Sequence, residues 1–148
     1  MRLNIGCVRD ILLCVENITT PNKPALFLDV DTIKRTKFTF LNPEDIPAPM
    51  EYQKELMNKY SNEELIYHIN YCLKAELIET SDYPIDDYIV IQDLTPKGHS
   101  FIENIREDSN FNKVVSIAKN AAKSITLEAV VEIASKVISD RINSFFNL

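Results

Sequence analysis

The stretch Tyr60–Ile78, YSNEELIYHINYCLKAELI, decides how this chain is read. Ser61 and Glu64 have the S-x-x-E spacing of a capping box, in which each side chain takes a backbone N–H that a helix start leaves unpaired. Tyr60 before the cap and Leu65 one turn inside it have the spacing of a hydrophobic staple. Leu65, Ile69, Cys72 and Leu73 then recur on one helical face. Leu77 and Ile78 lead out of the helix into L-I-E-T, a polar turn (Ser81–Asp87) and a second β-prone run, Tyr88–Ile91, closed by Asp93. A capped helix followed by strand, turn and strand is the order of a winged helix. The expected class is therefore α+β, mainly helical, with a winged-helix-like core, a small β-hairpin wing and two C-terminal helices.

Working outward, Asn4 can cap a first helix, with Val8, Ile11, Leu12 and Val15 on its core face, and T-T-P-N-K-P at Thr19–Pro24 ends it. Ala25–Val30 and Lys37–Leu41 read as strands of a hairpin, although D-T-I-K-R-T between them reads equally as a helical turn capped by Asp31. Asn42–Pro49 holds three prolines and reads as a loop, and a short helix is expected over Glu51–Lys59. Beyond the wing, Thr95-Pro96 is a helix start, since the hydroxyl caps and proline gives up an N–H that has no partner there. Phe101, Ile102 and Ile105 continue that helix. Asp108 or Ser109 opens another, Ser124-Ile-Thr126 breaks it, and the last helix runs from Leu127 to Phe145-Phe146. The expected organisation is one domain over 1–148: first helix 1–18, variable inserted segment 19–59, winged-helix core 60–107 and C-terminal helices 108–148.

The 148 residues carry a net charge of −6, unevenly divided. Bases and acids balance from Met1 to Tyr60 and again from Phe101 to Leu148. Between Ser61 and Ser100, Lys74 and Lys97 face eight acids, so the whole excess sits on the central helix and wing. Two glycines leave no Gly-rich phosphate cradle. No apolar run reaches the roughly 18 residues of a membrane span. The N-terminus has no long apolar core of the kind a signal peptide needs. Cys7, Cys14 and Cys72 are an odd set without C-x-x-C spacing, expected as reduced, buried thiols of a cytoplasmic protein.

Several blocks resemble one family. N-x-x-C-V-R-D-I-L-L at Asn4–Leu13, Y-S-N-E-E-L-I-Y-H-I at Tyr60–Ile69, L-T-P-K-G-H-S-F-I at Leu94–Ile102, N-I-R-E-D at Asn104–Asp108 and S-I-T-L-E-A-V-V-E-I-A-S-K-V-I at Ser124–Ile138 are similar to small phage and prophage proteins catalogued as domain of unknown function 2513. The segment Thr20–Lys59 matches poorly, and Ala122-Lys123 stands where a glycine is expected. The resemblance implies a winged-helix-like fold, a mobile-element origin and a bacterial host cytoplasm. It supplies no catalytic residues.

The residues offer little chemistry. His68 and Cys72 share a helical face, but zinc needs three or four ligands, and Cys7, Cys14 and His99 sit in other elements without recognisable spacing. Cys72 is expected in the core and His68 on its rim. Apolar surroundings do not activate a thiolate. Asp86-Asp87 and Glu63-Glu64 are explained as a solvated turn and a helix N-terminus, where the dipole favours acids. Lys97-Gly98-His99 reads as a helix start, with Gly98 allowing close packing and His99 a hydrogen-bonded structural residue. No metal, cofactor or catalytic residue is expected.

Two binding readings remain. The central helix is expected to expose Asn62, Glu63, Tyr67, His68, Asn70, Tyr71 and Lys74. DNA binding needs cations on phosphate, and its candidates are Lys34, Arg35, Lys37, Asn70 and Lys74, but the neighbouring acids would be pushed against phosphate. A protein partner suits exposed tyrosines beside dense carboxylate better, with Tyr67, His68, Tyr71, Lys74, Tyr83, Asp86 and Asp87 as candidates. The expected function is a non-catalytic module acting through a protein partner, modulating or inhibiting a host nucleic-acid-handling or defence protein. The alternative is a DNA-binding regulator of a mobile element. Apolar residues on more than one stripe of the last helix add a homodimer as a further expectation.

Overall fold

The computed structural model describes residues 1–37, 42, 44, 46–121 and 124–146. Helix α1 (Ile5–Ile18) begins where Asn4 Oδ1 accepts the Cys7 N–H, and it buries Cys7, Val8, Ile11, Leu12 and Val15 along one face. The chain then forms strand β1 (Ala25–Leu28), helix α2 (Val30–Lys37), helix α3 (Glu51–Met57) and the central helix α4 (Asn62–Lys74). Strands β2 (Ile78–Thr80) and β3 (Tyr88–Leu94) follow, then helices α5 (Pro96–Ile105), α6 (Asp108–Ala121) and α7 (Leu127–Phe146). The class is α+β, mainly helical with a small antiparallel sheet.

The sheet order is β1-β3-β2, so β3 is the middle strand. Ala25 pairs with Ile91 and Leu28 with Tyr88 on one side; Ile78 pairs with Leu94 and Glu79 with Asp93 on the other. The expected hairpin within residues 25–41 is thus corrected: the partner of β1 is β3, and Val30–Lys37 is helical. The reason lies in side chains. A-L-F-L needs cover on both faces, whereas D-T-I-K-R-T offers only Ile33 for burial. The cap is also two residues earlier than expected, since Asp29 rather than Asp31 accepts the Thr32 N–H and hydroxyl. Residues 38–41 of the expected second strand lie outside the described residues, as do Ala122 and Lys123.

Strand β1 lies at the sheet edge, and α3 closes it. Gln53, fully buried, accepts the Leu28 N–H at 2.8 Å and donates to the Leu28 carbonyl at 2.7 Å. Tyr52 does the same for Leu26, its hydroxyl accepting the N–H at 2.6 Å and donating to the carbonyl at 3.0 Å. Two side chains thereby stand in for a fourth strand. An uncovered edge of this kind exposes unpaired backbone groups to other chains.

Helix α4 starts as its sequence says: Ser61 Oγ accepts the Glu64 N–H, and Leu65, Ile69 and Cys72 are buried. The second half of the expected capping box is replaced. Glu64 Oε1 accepts from Asn4 Nδ2, so the carboxylate ties α4 to the cap of α1. Asn62, expected exposed, is buried: its amide oxygen accepts the Val30 N–H and its Nδ2 donates to Asp29 and Asp31. His68, expected on a rim and as a contact residue, is fully buried. Its Nε2 accepts the Asn4 N–H at 2.8 Å and its Nδ1 lies 2.7 Å from the Glu64 carbonyl, which fixes a neutral ring protonated at Nδ1. Position 68 follows Leu65 by three and precedes Cys72 by four, so it belongs to the buried face.

The exit of α4 is a Schellman turn. The Leu77 N–H bonds the Cys72 carbonyl and the Glu76 N–H bonds that of Leu73, with Glu76 left-handed at φ 58°. The Leu77 carbonyl accepts the Thr95 N–H, and Gly98 packs on it so closely that a Cβ at position 98 would lie 1.9 Å from the oxygen. Thr95 caps α5 through the Gly98 N–H, and Lys97 Nζ reaches the Ala75 carbonyl at the end of α4. Strand β3 runs on to Leu94, past the expected stop at Asp93. His99 stands half-exposed with Nε2 3.8 Å from Asp93 Oδ1, beyond hydrogen-bond reach, which corrects its expected role.

Three substitutions test this frame by urea denaturation. Gln53→Met keeps volume but strands the Leu28 N–H and carbonyl, and is expected to cost about 3 kcal/mol. Gly98→Ala drives a methyl into the Leu77 carbonyl, with an expected cost of about 3 kcal/mol. Glu76→Gly relieves the left-handed backbone of a side chain and is expected to add about 1 kcal/mol.

Candidate functional site

Helix α4 divides its unburied residues between two surfaces. Tyr67 and Tyr71, one turn apart, are half-buried, with rings 5.9 Å apart at 74°. They line a cleft of about 610 Å³ whose other walls are the N-terminal arm Met1–Gly6, α6, and Ser124 and Ile125 ahead of α7. The Tyr67 hydroxyl donates to the Met1 carbonyl at 3.3 Å, which places the arm against α4. Phe111 and Val115 of α6 supply the apolar wall, and Arg9 stacks on Phe111 at 4.5 Å while bonding Asp108. Arg2 and Lys119 are the charged residues in the lining.

The other surface faces α2. Lys34 and Arg35 line a shallow groove with Asn70 of α4, and Asp29, Asp31 and Glu63 line it too. Lys74 is exposed at the C-terminal end of α4, and Lys37 ends α2. Lys34 and Arg35 therefore do not make a purely basic groove, because carboxylates are interleaved with them. Asp29 shows how these acids are held: burial would raise its carboxyl, but hydrogen bonds from Asn62 and Thr32 outweigh it and hold the group below the usual range.

The β2–β3 turn forms a third site. Tyr83 is 81% exposed, Ile85 is exposed beside it, and Asp86 sits in a left-handed conformation at φ 40°. Glu63, Glu76, Glu79, Asp82 and Asp86 are exposed, and their carboxylates make no hydrogen bond or ion pair with the described residues; Asp87 is half-buried and already engaged. Of the residues expected to act together, the structure joins Tyr67 with Tyr71, and Tyr83 with Asp86 and Asp87. It removes His68 into the core. The arm, Phe111 and Lys119 were missed, because nothing local in the sequence marks which helix α4 will face.

The thiols are unsuited to nucleophilic chemistry. Burial, with Glu64 and Asp10 adding to it, pushes Cys7 up to about 12; burial with Glu55 pushes Cys14 up to about 11; Cys72 is raised by burial as well. All three are free, with Cys7 and Cys72 buried and Cys14 half-buried. Among the described residues no three of His, Cys, Asp and Glu converge to hold a metal ion, and no helix is long and apolar enough to cross a membrane.

The chain is similar to an uncharacterised protein of Haemophilus influenzae, at 28% identity over 82 residues, covering 54% of this chain and 70% of that one. No solved structure matches. A family described as "Hypothetical protein (DUF2513)" matches residues 2–125, a span that takes in the 20–59 segment and stops short of α7. The chain belongs to that family.

Proposed function

We propose that this chain is a non-catalytic, winged-helix-like binding module of phage or prophage origin, working in a bacterial host cytoplasm through a protein partner with a basic surface. Its role on this reading is to modulate or inhibit a host protein that handles nucleic acid or serves in defence. The order α1-β1-α2-α3-α4-β2-β3, with β1 paired to β3 and a turn between β2 and β3, supports the winged-helix reading. Helix α4 then occupies the position of the recognition helix.

One observation carries the choice of partner: five exposed carboxylates on α4, its exit, β2 and the adjoining turn form no ion pair with the described residues, and only Glu63 shares a groove with Lys34 and Arg35. Phosphate backbones draw proteins through Lys and Arg, and this surface presents the opposite sign. A basic protein surface is steered towards such a field, and Tyr83 gives it an amphipathic side chain to pack on. The DNA-binding alternative rests on Lys34 and Arg35 sharing a groove with Asn70, with Lys74 further along α4. A homodimer through α7 would use Ile142, Phe145 and Phe146, which are exposed at its end.

Affinity capture from host lysate, run with the wild type and with Asp82→Asn/Tyr83→Ala/Asp86→Asn, tests the reading. A basic protein is expected with the wild type at about 0.1 M salt, and is expected to be lost near 1 M, where the screening length falls to about 3 Å. The triple variant, equally stable, is expected to lose it at both. A sequence-dependent gel shift that disappears in Lys34→Ala/Arg35→Ala/Lys74→Ala would overturn the reading in favour of the regulator.

A further inference from the structure

We propose that the cleft between the N-terminal arm, α4 and α6 is a binding site for a small amphiphile: an apolar body bearing a single negative charge, of which a medium-chain carboxylate is the simplest example. Its volume of about 610 Å³ falls within the roughly 300–1,000 Å³ range of small-molecule sites. Its walls suit an apolar body. Tyr67 and Tyr71 stand edge to face on one side, and Phe111 and Val115 on the other. Tyr71 also offers a hydroxyl group to a polar head, that of Tyr67 already donating to the Met1 carbonyl.

The charge argument decides the sign of the ligand. The chain has 22 acids and 16 bases, yet among the described residues the charged side chains lining this cleft are Arg2 and Lys119, with no carboxylate. Two other groups of cations have acids beside them: Lys34 and Arg35 line a groove with Asp29 and Asp31, and Arg106 pairs with Glu16 and Glu103. The Lys119 ammonium makes no hydrogen bond or ion pair with the described residues, so it is available to a ligand. An anion entering the cleft meets two cations over an apolar wall, where attraction is screened less than in open water. A cationic amphiphile meets the same walls and is repelled. A neutral one gains only the contact with the walls. The site shares no residue with the β2–β3 turn, so it stands or falls independently of the protein-partner reading.

The test is isothermal titration of the full chain with octanoate, octan-1-ol and octyltrimethylammonium as probes. Octanoate is expected to bind at one site per chain, octanol about 10-fold more weakly, and the quaternary ammonium without measurable heat. Lys119→Glu, on an exposed position of α6, is expected to weaken octanoate about 10-fold and leave octanol unchanged; Lys119→Gln gives an intermediate loss. Val115→Asp is expected to weaken both. The proposal is overturned if octanoate shows no binding in the millimolar range, or if octanoate and octanol bind equally and Lys119→Glu changes neither.

Discussion

The pairing of β1 with β3 is the contact on which the rest of this fold depends. Ala25 lies against Ile91 and Leu28 against Tyr88, so a segment before α4 and a segment after it become neighbours in one sheet. Once that register is set, α2, α3 and α4 have to form the connection between β1 and β2, and α4 is held against the sheet with its exit turn feeding β2. The cost of bringing such distant segments together is conformational entropy, which rises only slowly with loop length. Burial of Phe27, Leu28 and Ile91 offsets it. A strand gained this way has a bare outer edge, and the amide of Gln53 with the hydroxyl of Tyr52 closes it by satisfying Leu26 and Leu28 in both directions.

A second consequence is that α4 cannot present one continuous contact face. Its buried face is set by Leu65, His68, Ile69 and Cys72, and the arm of α1 packs beside it through Asn4, whose backbone and side chain together reach His68 and Glu64. The remaining residues fall to either side. Tyr71 turns towards α6 and a cleft with cations in its lining, Glu63 and Asn70 turn towards α2 and a groove of mixed charge, and Tyr67 lines both. The surplus negative charge then accumulates beyond the helix end, on Glu76, Glu79, Asp82 and Asp86. One helix thus separates surfaces of different electrostatic character.

The sequence was legible where structure is decided locally. Asn4, Ser61 and Thr95-Pro96 cap helices because each needs only the N–H groups of the next turn, and such signals survive without knowledge of the fold. Gly98 was legible as a point of close approach, though not that the Leu77 carbonyl is what approaches. Apart from the α2 cap, the larger misreadings involve partners far along the chain. Nothing near Ala25 says that Ile91 will pair with it, so the apolar run of residues 25–30 was matched to the nearest β-prone run instead. His68 looked like a rim residue because a polar ring suggests water; its two nitrogens are in fact satisfied by Asn4 and by its own helix. Gln53 carried no signal, since a buried amide that mends a sheet edge has the same sequence context as an exposed one.

Helix α7 shows where periodicity stops being informative. Leu127, Val130, Ala134 and Val137 form a stripe that is buried against the preceding helices, and Val131 and Ile138 lie half-buried beside it. From Arg141 to Phe146 every residue is exposed, including Ile142 and both phenylalanines. The hydrophobic pattern continues without a break while its cover ends, because the helix is longer than the bodies of α5 and α6 that it packs on. Arg141 marks the boundary, bonding Asn110 of α6 at the last point of contact between the two helices that the side chains record. The family match ends at residue 125, just before this helix. The matched span takes in the sheet, the α4 surfaces and most of the cleft, whereas α7 lies beyond it even though Leu127, Val130, Ala134 and Val137 belong to the same buried core.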